Sequence, residues 1–227
     1  MLIPNMVGGG AERVAAMLMN EFYKSGYDVT FMLTSTERKS LIDKDIDKNI
    51  PLILLKEQKI DKTSFGYKLL RLLSSLLCRF FELFGFAVPA RIAYLSFISQ
   101  YSGEISYLRD YLKSNPCTSV ITFSQPANPM IMIASRGLEN RIIFSERADP
   151  VRLMKKRFGR KFIEKYYSRA DCAVFQTEDA KNTYPENIAE KGVVIFNPIS
   201  PELPEPYDGG RSKNITTFCR ISRQKNL

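Results

Sequence analysis

The feature of this sequence that most restricts its fold is a recurring pair, a short and almost wholly apolar run followed by a segment long enough for a helix. After Leu2-Ile3-Pro4, which leads into Gly8, Gly9 and Gly10, such runs lie at residues 29–33, 51–55, 119–123, 141–144, 172–176 and 193–196. A strand with one wet face alternates apolar and polar residues, so runs that are apolar on both parities suit strands covered on both faces. Their alternation with helix-length connections predicts an α/β fold, a Rossmann-like doubly wound parallel sheet. Near the start, Val14, Met17, Leu18 and Phe22 recur at helical spacing as far as Gly26, the expected C-cap. The opening therefore reads as strand, glycine loop, helix and strand. Residues 103–113 read as a further helix ahead of the strand at 119–123.

After Asn197-Pro198 the composition shifts to Pro201, Pro204, Pro206, Gly209 and Gly210, a stretch unable to hold regular structure. The expected organisation is a Rossmann-like domain over residues 1–198, an interdomain linker over 199–212, and the first strand of a truncated second domain over 213–227. A lone strand cannot bury its faces, so the polypeptide reads as a fragment of a longer protein.

The chain has no histidine. Ser-His-Asp and Cys-His hydrolases as usually built are thereby excluded, and the commonest zinc ligand and general base is missing. Cys78, Cys117, Cys172 and Cys219 are scattered without a C-x-x-C pair, which fits reduced buried thiols better than a disulfide framework or zinc site. No cofactor and no metal are expected. A net charge of +9 points to nucleic acid, anionic lipid or phosphorylated ligands as partners. Residues 1–10 lack a charged and a long apolar region, so a cytoplasmic origin is expected.

The glycines at the first strand-helix junction place unpaired backbone N–H groups and a positive dipole end together, which suits an anion; they equally suit a tight turn. Gly8 and Gly10 match the first pair of the dinucleotide fingerprint, but Arg13 stands where its third glycine belongs, which disfavours a nicotinamide dehydrogenase.

In order along the chain stand Ile3-Pro4-Asn5, Gly9-Gly10-Ala11-Glu12-Arg13-Val14, Ser145-Glu146-Arg147, Val174-Phe175-Gln176-Thr177, Phe196-Asn197-Pro198-Ile199, and Arg220 with Gln224-Lys225-Asn226. Taken together these words resemble the group 1, or family 4, retaining glycosyltransferases. The resemblance implies a GT-B architecture, two Rossmann-like domains facing across a cleft, the acceptor held by the first and the nucleotide sugar by the second. It further implies that Arg220 and Lys225 bind the donor diphosphate, with no metal required. The donor would be a nucleotide sugar of the UDP-sugar kind, and the acceptor a lipid-linked glycan in cell-surface polysaccharide synthesis. Glu12, Glu146 and Arg147 are candidate ligand contacts; relatives often have a histidine near Arg147. That residue either binds a phosphate of donor or acceptor, or pairs with Glu146 or Asp149. Cys219 stands where many relatives have glycine, and no catalytic residue is assigned.

Two segments bear on membranes. Between Tyr67 and Phe86, Lys68, Arg71, Ser75, Arg79 and Glu82 fall on one helical face, with leucine and phenylalanine over the remainder. No run there is long enough to span a bilayer, so the segment reads as a core helix or as an interfacial one. From Arg152 to Arg169, eight basic residues stand against Glu164 alone, which suits a solvated helix face, an anionic membrane surface or a polyprenyl diphosphate. The resulting expectation is a peripheral enzyme on the cytoplasmic side of the membrane. The rivals are an inactive membrane-associated fragment and a nucleic-acid-binding protein, the latter without any usual recognition module in the sequence.

Overall fold

The computed structural model describes residues 1–7, 9–34, 45–58, 65–116, 118–155, 158–198 and 208–210. The chain divides into two units, Met1–Asn197 and Pro198–Leu227. The expected linker and second-domain strand, with Cys219, Arg220 and Lys225, lie outside the described residues apart from 208–210, as does Gly8.

Within Met1–Asn197 the elements run β1 (Leu2–Ile3), α1 (Gly10–Lys24), β2 (Phe31–Leu33), β3 (Leu52–Leu54), α2 (Phe65–Leu83), α3 (Ala90–Ser114), β4 (Val120–Phe123), α4 (Ala127–Ala134) and β5 (Ile142–Ser145). They continue with α5 (Pro150–Met154), α6 (Arg160–Tyr166), β6 (Cys172–Phe175), α7 (Glu178–Thr183), α8 (Glu186–Ala189) and β7 (Gly192–Val194). All seven strands join one parallel sheet in the order β3-β2-β1-β4-β5-β6-β7. This is the α/β, Rossmann-like doubly wound sheet that the apolar runs predict.

Side-chain alternation sorts the strand residues into two cores. Ile3, Phe31, Leu33 and Phe123 pack with Val14, Ala15, Ala16 and Met19 of α1 on one face. Leu2, Met32, Val120, Ile142 and Phe144 pack on the other with residues of α3, α4 and α6, including Leu108, Met130 and Phe162. The expectation of strands buried on both faces holds at β1 and β2 and fails at the far edge. Ile143 and Val174 are only half-buried on the α1 side and Val193 is 44% exposed, because among the described residues α1 covers that face over β1 and β2 alone.

The local signals explain the boundaries. Gly26 is left-handed at φ +84° and closes α1 with a Schellman pair: Gly26 N–H donates to Tyr23 O and Tyr27 N–H to Phe22 O, both at 3.0 Å. The rings of Phe22 and Tyr27 meet edge to face at 5.8 Å, the apolar contact that accompanies this cap. Asp149 caps α5 by accepting from Val151 N–H at 2.9 Å, with Pro150 in the first turn. Thr177 caps α7 through Ala180 N–H at 3.1 Å.

The helix expected over 103–113 is the second half of α3, which bends at Tyr101 (φ −119°, ψ 23°). The basic stretch from Arg152 to Arg169 is not one helical face. It is divided between α5, α6 and a short 3₁₀ turn, and part of its charge is spent internally. Arg169 donates to the carbonyls of Ser135, Leu138 and Asn140 and to Asp171, Arg160 donates to Thr183 O, and Arg152 pairs with Asp149. Of the cysteines that can be placed, Cys78 is buried and Cys172 half-buried.

Candidate functional site

In a parallel sheet every strand ends on the same edge, and ligands gather where the strand order reverses. Here that point lies between β1 and β4. Along the same edge lie the residues that follow five strands: Asn5 after β1, Ser124 after β4, Glu146 and Arg147 after β5, Gln176 after β6, and Asn197 after β7.

Arg147 is the residue that ties this rim together. Its Nε donates to Ser145 Oγ at 2.9 Å, its Nη1 donates to Asn197 Oδ1, and its guanidinium lies 5.4 Å from the centre of the Phe123 ring. Three different strand ends thereby hold one cation. Partial burial lowers its pKa from the ordinary arginine value, which leaves a guanidinium charged and less hydrated than a surface one. Neither Glu146 nor Asp149 is its hydrogen-bonding partner through the side chain; Asp149 pairs with Arg152 instead.

Glu146 turns inward. Its Oε1 accepts from Arg147 N–H at 3.1 Å and Ala148 N–H at 3.2 Å, and its Oε2 accepts from Asn128 Nδ2 at 3.3 Å. Burial raises its pKa, against the lowering effect of these donors and of Ser124. Below it, Tyr167 and Tyr184 are buried, and lost hydration followed by the Glu146 charge raises both phenols. The carboxyl thus shapes the loop that presents Arg147.

Ser124 is the backbone exception of the rim, a non-glycine residue at φ +55°, directly before a cis Gln125–Pro126 bond. Such a conformation costs on the order of 1–3 kcal/mol and persists only where neighbours enforce it. Ser124 N–H donates to Ser145 O at 2.9 Å, and Gln125 Nε2 donates to Phe158 O at 3.3 Å. Among the described residues, two buried amide oxygens here, Asn5 Oδ1 and Asn128 Oδ1, find no hydrogen-bond partner.

Gly9 is the N-cap of α1 and Gly10 its first residue. A methyl group built on Gly10 would meet open space, and one on Gly9 only the flexible end of the Glu12 carboxylate. No crowding among the described residues therefore demands glycine at either place. Glu12 sits in the first turn, where a negative charge favours the helix dipole, so a bound anion would have to displace or share with it.

Of the candidate residues, the structure brings Glu146 and Arg147 together at the switch point, with Gly9, Gly10 and Glu12 at the helix start that follows β1. Ser124, Gln125, Asn128, Tyr167 and Tyr184 are not among the sequence-predicted residues. The signal for the first three was available, since Gln125-Pro126 and Asn128-Pro129 punctuate the chain immediately after an apolar run. Nothing in the local sequence of the two tyrosines sets them apart from ordinary core aromatics. Among the described residues no cluster of acidic and cysteine side chains is able to hold a metal.

No protein-family model matches the chain, and no curated protein matches it. Among solved structures it is similar to MurG from Acinetobacter baumannii, with a TM-score of 0.48 and 14% identity. The match covers 88% of this chain and 46% of that one, so the chain spans about half of that protein's length. The fold assignment rests on the sheet order itself rather than on a likeness this distant.

Proposed function

We propose that Met1–Asn197 is the acceptor-side domain of a glycosyltransferase that moves a sugar from a nucleotide diphosphate donor, of the UDP-sugar kind, to a hydroxyl on a lipid-linked glycan. The observation that carries the reading is Arg147, a cation fixed by three strand ends at the switch point of a doubly wound sheet. A preorganised guanidinium suits a phosphate or a developing negative charge, and its placement coincides with the Ser145-Glu146-Arg147 word of the family resemblance. The strained Ser124 and the unpartnered oxygens of Asn5 and Asn128 support the same locus.

In the proposed reaction the bond from the anomeric carbon to the diphosphate oxygen breaks, a bond to the acceptor oxygen forms, and the proton of the acceptor hydroxyl passes to the departing diphosphate. Arg220 and Lys225 neutralise the charge that collects on the departing diphosphate, so the step needs no metal. Retention of configuration and membership of group 1 belong to the same proposal. So does peripheral attachment to the cytoplasmic face of a membrane that supplies the acceptor; no described helix is long and apolar enough to cross one.

The test is a transfer assay on the protein, with labelled nucleotide sugars against lipid-linked glycan acceptors. The proposal expects transfer that falls on the order of a hundredfold in Lys225→Ala, as when one preorganised charge donor is lost. Absence of transfer across the common nucleotide sugars, or a Lys225→Ala enzyme with unchanged kinetics, would count against it.

A further inference from the structure

The sheet has a second edge, where its strands begin, and the residues gathered there take no part in the rim that holds Arg147. α4 starts at the rim, where Asn128 Nδ2 donates to Glu146 Oε2 at 3.3 Å, and runs back so that Arg136, two residues past its end, stands on the approach to β5. The 3₁₀ turn Tyr167–Arg169 leads into β6 at the same edge. Between these segments and the first turn of α3 lies a cavity of about 290 Å³.

The basic residues of the lining differ in what they have left to offer. Arg169 serves the wall: its Nε donates to Ser135 O at 3.2 Å, its Nη2 to Leu138 O at 2.8 Å and its Nη1 to Asp171 Oδ2 at 3.1 Å. Arg136 and Lys165 are exposed, and among the described residues neither side chain donates to an acceptor or pairs with an acid. No acid lines the cavity among the described residues.

The rest of the lining is aromatic and apolar. Tyr94 of α3 and Tyr166 of α6 stack with ring centres 4.7 Å apart and planes at 18°, and Met132 and Ile133 of α4 lie beside them. Lys165 Nζ is 5.8 Å from the centre of the Tyr166 ring. Burial raises the Tyr166 phenol, Tyr94 adds to that, and Arg136 and Arg91 oppose it, so a third cation faces the same ring.

An occupant must answer size, charge and apolar surface together. The volume lies near the lower end of small-molecule sites, about 300 Å³, too small for a helix of a partner protein. A bare inorganic ion leaves the tyrosine pair and the methionine uncovered, and a neutral ring leaves the cations unanswered. A planar ring that carries a phosphate satisfies both, because it extends the aromatic stack while guanidinium and ammonium groups take the phosphate oxygens. We propose that this cavity is a second ligand site, for a nucleoside monophosphate, on the sheet edge opposite the candidate active site. The inference stands apart from the glycosyltransferase reading.

Because the chain has no tryptophan, Tyr166→Trp places a single indole in the cavity and keeps a ring against Tyr94. Adenosine 5′-monophosphate should quench its emission and saturate. Adenosine, inorganic phosphate and glucose 6-phosphate, the last a phosphate ester without a planar ring, should each bind at least tenfold more weakly. Tyr94→Trp, a second reporter, should respond alike. Equilibrium dialysis of radiolabelled adenosine monophosphate against the parent chain measures the same binding without a tryptophan. In that assay Arg136→Gln with Lys165→Gln should weaken binding at least tenfold while the far-ultraviolet circular dichroism stays unchanged, and Arg147→Ala at the rim should leave it unaltered.

A parent chain that retains no adenosine monophosphate overturns the proposal, as does retention with both reporters silent. So does full affinity in the folded double variant, or a loss in Arg147→Ala, since either places the nucleotide elsewhere. Equal affinity for adenosine, inorganic phosphate or glucose 6-phosphate would overturn the pairing of ring with phosphate. None of these measurements requires sugar transfer, so failure here and failure of the transfer assay are separate results.

Discussion

Arg147 donates from Nη1 to Oδ1 of Asn197, fifty residues further along the chain, and so ties the loop after β5 to the chain that leaves β7. An exposed hydrogen bond from a charged group contributes on the order of 0.5–1 kcal/mol. The bond predicts coupling: Arg147→Ala and Asn197→Ala should each lower the urea midpoint, and the double variant should lose less than the sum by about 0.5–1 kcal/mol. Additive losses would show that the two side chains do not act on each other.

Glu146 should leave a signature in the pH dependence of stability. Its carboxyl is buried and its folded pKa is raised above the ordinary value of 4.5, chiefly by lost hydration. A raised acid binds more protons in the folded state, so its contribution is complete below the unfolded pKa and is lost as pH rises through the folded one. Glu146→Gln cannot titrate. Its unfolding free energy, measured from below pH 4.5 upward, should decline less with rising pH than that of the parent. A variant that keeps the parent's slope in that window would assign the titration to another group.

The sheet was legible in the sequence because parallel strands covered on both faces need continuous apolar runs, and those at 119–123 and 141–144 lie within a residue of β4 and β5. The open face of β6 and β7 was not legible, since Val174 and Val193 read the same whether or not a helix covers them. At the site, Glu146 and Arg147 could be marked as a charged pair after a strand, but their different fates could not. Which of two adjacent charges turns inward depends on Asn128 and Asn197, 18 and 50 residues away in sequence. The polarity of α2 was half visible: the pattern fixed which residues share a face, and the packing of α2 on α3 decided that the leucines point outward.

Two glycines at the two ends of α1 should behave oppositely. Gly26 adopts φ +84° with open space around it, so Gly26→Ala introduces backbone strain alone, costing roughly 1–2 kcal/mol. Gly10 is helical and equally uncrowded, so Gly10→Ala should stabilise the fold by about 0.5–1 kcal/mol. Chemical denaturation reads both. If Gly10→Ala is stable and yet impairs binding of the nucleotide sugar or glycan that the proposed function requires, the glycine serves ligand approach. If binding is untouched, it serves only the turn.

Gly192 is a glycine for a different reason. A methyl group there would lie 2.6 Å from Phe175 Cε2 and 2.9 Å from the backbone oxygen of Ala189, at the parallel pairing of β6 with β7. The carbonyl cannot swing away as a flexible side chain can. Gly192→Ala should therefore destabilise the domain by about 1–3 kcal/mol, the usual scale for overpacking. A thermal midpoint equal to that of the parent would show that the β7 edge yields freely.

The last prediction separates folding from membrane attachment on α2. Leu72, Leu76 and Phe80 are 57%, 53% and 53% exposed, so replacing all three by serine removes little core packing. Outward substitutions of this kind fall within about 0.5 kcal/mol each, and the urea midpoint should barely move. On a bilayer the same residues would insert, each contributing on the order of 1 kcal/mol through partial burial of apolar area. The triple variant should therefore bind vesicles on the order of a hundredfold more weakly. Salt should weaken the contribution of Lys155, Lys161 and their basic neighbours while leaving the apolar part, a mixed response unlike the steep salt dependence of binding to nucleic-acid phosphates. Flotation with vesicles of phosphatidylcholine and phosphatidylglycerol, run beside a duplex gel shift across the same salt series, measures both. A triple variant that floats like the parent would remove α2 from the interface. A parent chain that ignores these vesicles and shifts the duplex at physiological salt would replace the membrane with nucleic acid as its partner.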